Sequence, residues 1–93
     1  MSAPAITLRL PTVLRDVVGR EELEVHGSSI AEALESAFAE VPSLRRHLTV
    51  ESGELRPHVL CLHNGVNLLR DQIASVRLAD GDEILIHQAI SGG

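Results

Sequence analysis

The sequence predicts an α+β domain in which one main helix packs across one face of a mixed sheet. Short segments of alternating apolar and polar residues lie near both ends of the chain, and a segment with helical periodicity lies between them. With 93 residues, 44% of them apolar, the chain has the size and composition of one globular domain. Phe38 is its single aromatic residue, so the core is expected to be aliphatic.

The first two predicted strands form an antiparallel hairpin. Residues 5–10 alternate, and Pro11 ends the strand because proline cannot donate a hydrogen bond to a sheet ladder. Residues 21–26 repeat the alternation. The intervening residues 12–19 are predicted to form a loop, which is too long for a two-residue hairpin turn.

The main helix is predicted to begin after Ser29. Ser29 and Glu32 have the spacing of a capping box, in which the serine accepts a backbone hydrogen bond and the glutamate reaches back to the N-cap. Apolar residues then recur on one helical face, at Ile30, Leu34, Ala37, Phe38 and Val41. Pro42 ends the helix, residues 43–48 are predicted to form one further short turn, and residues 51–56 a loop.

The second half of the chain is predicted to add two full strands. The third strand, residues 58–63, ends at the turn signal Asn64-Gly65. Residues 66–73 are irregular, with room for a short strand or turn. Residues 79–82 form a tight turn, and residues 83–87 form the last strand.

The predicted order is strand, strand, helix, strand, turn region, strand. A crossover between parallel second and third strands is right-handed in nearly all proteins, and it leaves the first and last strands side by side in the middle of the sheet. This is a β-grasp, or ubiquitin-like, layout of the α+β class. Residues 1–89 are predicted to form this domain, and residues 90–93 a flexible C-terminal tail that carries Gly92 and Gly93.

Composition restricts the classes of function. The net charge is −5 and all eight basic residues are arginines, which disfavours binding to nucleic acid phosphates and favours a basic groove on a partner protein. No apolar run approaches the roughly 18 residues of a membrane span, and the first residues lack a signal-peptide pattern. Because Cys61 is the single cysteine, no internal disulfide is possible, and a cytoplasmic protein is expected.

The terminal Gly92-Gly93 is the strongest functional signal. Glycine adds little to a core, but a glycine backbone passes through a narrow channel without side-chain clashes. The Gly93 carboxylate is then a reactive group for another enzyme to activate. The alternative is an ordinary frayed terminus, because chain ends are often disordered.

The chain resembles the ubiquitin-like sulfur carriers of the MoaD/ThiS family over nearly its whole length. The resemblance rests on Pro-Thr-Val-Leu-Arg at residues 11–15, the capped helix from Ser29, and His-Asn-Gly at residues 63–65. It rests most on residues 79–86 and on the terminal Gly92-Gly93. Within the family, the chain looks most like the carriers that feed cysteine biosynthesis.

The resemblance implies that the chain is a protein co-substrate and not an enzyme. A partner of the ubiquitin-activating type uses ATP to adenylate the Gly93 carboxylate, and sulfide or a persulfide from a sulfurtransferase displaces AMP to give a thiocarboxylate. A biosynthetic enzyme then accepts the sulfur for cysteine, thiamin, molybdopterin or a specialised metabolite. The chain itself is expected to hold no cofactor and no metal. Gly92 belongs with Gly93 to the reactive end of the chain. The residues expected to contact the partners are Leu85, His87, Ile90 and Ser91.

Two other interpretations stay open. In the first, the chain is a small subunit of molybdopterin synthase, with its tail inserted into a larger subunit. In the second, it is a ubiquitin-like modifier that is joined to lysines of other proteins. Gln88 stands where many relatives have proline, and Ser91 also departs from the family pattern. These departures leave the pathway and the partner undetermined.

The surroundings of Leu85 have two interpretations. In one, Leu85 belongs to an apolar contact patch, with His63, His87 and either Val59 or Cys61 nearby. In the other, Leu85 is a solitary surface residue. Cys61 is more typical of core packing. His63 and His87 are candidates to face each other across neighbouring strands.

Other polar residues favour structural roles. The five histidines lack the spacing of metal ligands. Asp80 and Asp82 flank Gly81, and their side chains are expected to bond nearby backbone groups in the turn.

Overall fold

A computed structural model of the chain describes residues 3–88, in which helices cover one face of a five-stranded mixed sheet. The strands are β1 (Ala5–Arg9), β2 (Glu22–His26), β3 (Val59–His63), β4 (Val66–Asn67) and β5 (Glu83–Gln88). The helices are α1 (Thr12–Val18), α2 (Ile30–Glu40), α3 (Ser43–Leu48) and α4 (Arg70–Ile73).

The strand order is β2-β1-β5-β3-β4, with β1 and β5 parallel in the centre. β2 pairs antiparallel with β1, and β3 pairs antiparallel with β5, so β2 and β3 run in the same direction. The chain crosses between them through α2 and α3. The predicted β-grasp layout, with the first and last strands adjacent, is therefore confirmed.

The core lies between α2 and the sheet. Alternate strand residues point into it, and Leu8, Val25 and Ile86 are fully buried. Phe38 on α2 is buried among aliphatic side chains, as the composition predicts. Among residues 3–88, no helix is both long and apolar enough to cross a membrane.

The prediction of a loop between the first two strands is wrong, because Thr12–Val18 form helix α1. Leu14 anchors α1 in the core, and the Pro11 carbonyl accepts hydrogen bonds from the backbone N–H groups of Leu14 and Arg15 at 2.9 and 3.2 Å. Gly19 ends α1 with a φ of 81°, a left-handed conformation that glycine adopts without steric cost. Most residues of α1 are β-branched and have low helix propensity, so local periodicity does not predict the helix.

The predicted cap of α2 is confirmed in part. Ser29 is the N-cap, and its hydroxyl accepts a hydrogen bond from the Glu32 backbone N–H at 3.2 Å. The Glu32 carboxylate accepts from the backbone N–H and hydroxyl of Ser28 at 2.8 and 2.9 Å, one residue earlier than a capping box requires. The backbone hydrogen bond from Ser28 is the main reason why the pKa of Glu32 is lowered.

The remaining segments agree with the sequence with small changes of boundary. The short turn after Pro42 is helix α3, and the irregular segment 66–73 contains β4 and α4. The predicted turn at Asn64-Gly65 has both residues in the left-handed region, with φ values of 49° and 85°.

Asp82 ties the turn before β5 to the turn after β3. Its Oδ2 accepts from the Ala79 backbone N–H at 2.9 Å and lies 2.8 Å from His63 Nε2, while Oδ1 accepts from Asn64 Nδ2 at 3.1 Å. The Ala79 hydrogen bond, followed by those from His63 and Asn64, lowers the pKa of Asp82 to about 2. Asp80 accepts from the backbone at the start of β1 at 2.8 Å. The expected bond to nearby backbone is therefore confirmed for Asp82, whereas Asp80 bonds the backbone of Ala5, which is distant in sequence.

Candidate functional site

Strand β5 lies in the centre of the sheet and is the last strand before the C-terminus of the chain. Its last residue, Gln88, pairs with Val59 at the beginning of β3. The predicted tail residues lie outside the described residues: Ile90, Ser91, Gly92 and Gly93. Their roles and the boundary at residue 89 therefore stay predictions.

The outer face of the sheet, which α2 does not cover, carries an apolar patch next to β5. Leu85 is half-buried on this face and lies opposite Leu62 of β3 on one side and Arg9 of β1 on the other. Leu60 lies opposite His87, which is exposed. We call Leu60, Leu62 and Leu85 the outer-face patch. Because cross-strand neighbours are close enough for side-chain contact, Leu85 is not a solitary surface residue.

The prediction of which residues lie near Leu85 is partly wrong. Val59 and Cys61 are buried on the opposite, helix-covered side of β3, and Leu60 and Leu62 take their place on the outer face. His63 has the same parity as Val59 and Cys61, and it pairs with Ile84 and not with His87. Every residue from 59 to 62 is apolar, so the sequence pattern does not fix which side faces out.

The outer-face patch borders charged residues towards β1. Arg9 Nη1 lies 3.5 Å from the Glu83 carboxylate, and both side chains are substantially exposed. Such an exposed ion pair contributes little to stability. An apolar centre with a charged rim is typical of protein–protein interfaces.

Two features that could carry chemistry, the thiol of Cys61 and a metal-binding cluster, can be checked among the described residues. Burial raises the pKa of the Cys61 thiol to about 11, so the thiol is protonated and inert at neutral pH. Among residues 3–88, no three His, Cys, Asp or Glu side chains are arranged to hold a metal ion.

Sequence reasoning missed exposed valines on α1. Val13 and Val17 lie one helical turn apart and are 60% and 57% exposed. Their spacing is a signal only after α1 is known to be a helix. Leu60 and Leu62 were missed for the same kind of reason, since they depend on the register of β3.

The fold defines a ubiquitin-like β-grasp protein, in which the central strand β5 runs beside the apolar outer-face patch. The ThiS family model matches residues 8–93, and the chain belongs to this family of small ubiquitin-like carriers and modifiers. The resemblance seen in the sequence is confirmed.

Two relatives and one complex illustrate the range of the family. The chain is 30% identical over 91 residues to small archaeal modifier protein 3 of Haloferax volcanii, covering 95% of this chain and 98% of that protein. Small archaeal modifier protein 1 of Methanosarcina acetivorans has a similar structure, with a TM-score of 0.83 and 27% identity over the full length of both chains. A chain of the Amycolatopsis orientalis BexX/CysO complex has a TM-score of 0.81 at 22% identity, over 96% of this chain and 100% of that one, and shares the fold.

Proposed function

We propose that the chain is a sulfur carrier whose Gly93 carboxylate is activated by a partner enzyme. The carboxylate attacks the α-phosphorus of ATP, and pyrophosphate leaves. Sulfide then attacks the acyl carbon of the adenylate, AMP leaves, and a thiocarboxylate remains on Gly93. Two easier steps through a covalent intermediate replace one difficult substitution, as in other nucleophilic mechanisms.

The observation that carries this proposal is the position of β5. A central strand, held by β1 and β3, ends at Gln88, and the five following residues end in Gly92-Gly93. Five residues span at most about 17 Å when extended. A partner that docks on the outer-face patch can therefore receive the carboxylate in a narrow site close to that surface.

The proposal assigns separate roles to the surface and to the tail. Leu85 and His87 contact the partner on the outer face, while Ile90 and Ser91 contact the entrance of its channel. The adenylating enzyme binds ATP, a sulfurtransferase together with a reducing thiol releases the sulfide, and a biosynthetic enzyme accepts the sulfur from the thiocarboxylate. The chain acts as a cytoplasmic co-substrate and binds neither cofactor nor metal.

A second candidate function is protein modification, which the likeness to small archaeal modifier protein 3 favours. Activation of Gly93 is the same, but a lysine amine of another protein attacks the acyl carbon of the adenylate, AMP leaves, the amine loses a proton, and an isopeptide bond forms. The chain contains no lysine, so it cannot be extended into a polymer on its own side chains.

The test is ATP–pyrophosphate exchange catalysed by the adenylating enzyme of the same organism. We expect exchange with the full chain, and none after deletion of Gly93. Deletion of Ala3 together with the residues before it is a matched control at the other terminus and is expected to leave exchange unchanged. Equal exchange with and without Gly93 would overturn the proposal. Lysine conjugates formed without any thiocarboxylate would favour the modifier.

A further inference from the structure

Three arginines near the loop between α3 and β3 have no ion-pair partner among residues 3–88. Arg9, Arg20 and Arg45 each pair with a glutamate. In contrast, Arg46, Arg56 and Arg70 form no salt bridge in this part of the chain, although the protein has 13 acidic residues. Three of the five arginines without a salt bridge among residues 3–88, a set that also includes Arg15 and Arg77, therefore lie near this one loop.

Backbone carbonyls hold two of these arginines in fixed positions. Arg56 donates from Nε and Nη2 to the Arg46 carbonyl at 3.2 and 2.7 Å. Arg70 donates to the carbonyls of Leu55 and Arg56 at 2.8 and 2.6 Å. Neutral carbonyls do not cancel the guanidinium charge, and each guanidinium has five N–H donors, so donors remain for another molecule.

Arg46 and Arg56 line one open cleft together with Pro42 and Val50. Arg45 also lines the cleft, but its charge is compensated by two hydrogen bonds to Glu35 at 3.0 and 2.7 Å. Glu51 also lines the cleft and forms no salt bridge there with either arginine, within the described residues. The cleft thus presents two arginines and one glutamate that form no salt bridge within the described residues.

The cleft lies near the point where β5 ends. Arg56 precedes the first residue of β3, Val59, by three positions, and Val59 pairs with Gln88 at the end of β5. An enzyme that receives the C-terminus must therefore come close to the arginines.

We infer that Arg46 and Arg56 dock an acidic segment of the adenylating enzyme, an inference that rests on the proposed function. The net negative charge of the chain attracts a basic surface of the partner. A local cationic cleft would in addition bind carboxylates of the partner at one position, and this contact would fix the orientation of the complex. The planar guanidinium group is suited to bidentate binding of carboxylates.

The experiment compares Arg46→Glu with Arg77→Glu in the pyrophosphate exchange assay. Both residues are exposed arginines without a salt bridge in the described part of the chain, and both changes alter the net charge equally. We expect Arg46→Glu to raise the KM for the chain about tenfold and to weaken its salt dependence, because an attractive interfacial charge is reversed. Arg77→Glu is expected to change KM by less than about twofold.

Polyglutamate serves as the probe of ligand class. It should raise the KM of the wild-type chain more than that of Arg46→Glu. Inhibition by a single-stranded oligonucleotide, where polyglutamate has no effect, would overturn the assignment to an acidic protein segment. Arg46→Gln is the second variant should the charge reversal impair folding, which far-UV circular dichroism reports.

The outcomes separate this inference from the proposed function. Equal KM values for wild type and Arg46→Glu would show that the cleft is not a docking site, and so would equal increases in KM for Arg46→Glu and Arg77→Glu. In either case, pyrophosphate exchange with the wild-type chain would still support the proposed carrier function. Absence of exchange with the wild-type chain refutes the proposed function, and this inference falls with it.

Discussion

Replacement of Asp82 by asparagine should reduce the free energy of unfolding by about 1–2 kcal/mol at neutral pH. Asp82 accepts hydrogen bonds from the Ala79 backbone and Asn64, and lies 2.8 Å from His63 Nε2. An asparagine at this position keeps the shape but loses the charge and one acceptor, so the two turns are held less tightly.

The magnitude follows from the pKa. The pKa of Asp82 is about 2 in the folded chain, against an ordinary value of 3.8, and each pKa unit corresponds to about 1.4 kcal/mol. The full shift corresponds to about 2.5 kcal/mol. We take roughly half of that value, because the Asp82 side chain keeps 17% exposure and water screens the interaction.

The sign of the pH dependence is fixed by the direction of the shift. Because the pKa is lower in the folded state, the stabilisation is complete above the ordinary pKa of 3.8 and is lost as the pH falls towards about 2. Urea unfolding followed by circular dichroism, at a series of pH values, measures the difference between wild type and Asp82→Asn. We expect this difference to shrink in that pH range.

Asp16→Asn is the matched control for Asp82→Asn. Asp16 is exposed on α1, so its replacement should alter stability by less than about 0.5 kcal/mol. A difference between wild type and Asp82→Asn that stays constant from neutral to acid pH would refute the reasoning. So would a difference at neutral pH as small as that of the control.

Three further predictions test the docking face, the packing and the thiol. Leu85→Glu should raise the KM in pyrophosphate exchange about tenfold through loss of the outer-face patch, with Val66→Glu, on the edge strand, as the control. Gly27→Ala should lower the free energy of unfolding by about 1–3 kcal/mol, since the new Cβ would lie 2.5 Å from the Ala33 backbone nitrogen. Cys61 should react with a thiol reagent only as fast as the chain opens, because the thiol is buried with a pKa of about 11.

Each of these predictions has a distinct contrary result. Equal KM values for Leu85→Glu and Val66→Glu would show that the patch is not a docking surface. Unchanged urea unfolding of Gly27→Ala would show that the first turn of α2 shifts freely. Rapid labelling of Cys61 under native conditions, unaffected by low urea, would contradict its burial.

The sequence predicted those elements whose signals are local. β1 and β2 alternate with period two, and α2 has both an N-cap serine and a terminating proline, so their positions are correct to within about a residue or two. β5 follows a turn at Gly81, whose φ is 91°. The central position of β5, and hence the route to the C-terminus, came from the order of these elements alone.

The sequence could not predict features that depend on tertiary packing. α1 is held by burial of Leu14 rather than by helix propensity. The outer-face patch depends on the register of β3 against β5, and the uniformly apolar residues 59–62 permit either register. The paired carbonyl contacts of Arg56 and Arg70 join residues distant in sequence, and no local pattern indicates them.

The most direct test of the carrier function is the intact mass of the chain after incubation with ATP, its adenylating enzyme and a sulfide donor. We expect a mass increase equal to the replacement of one oxygen atom by sulfur, located on Gly93 by fragmentation and absent after deletion of Gly93. An unchanged mass, under conditions where the same enzyme loads another carrier, would contradict the account.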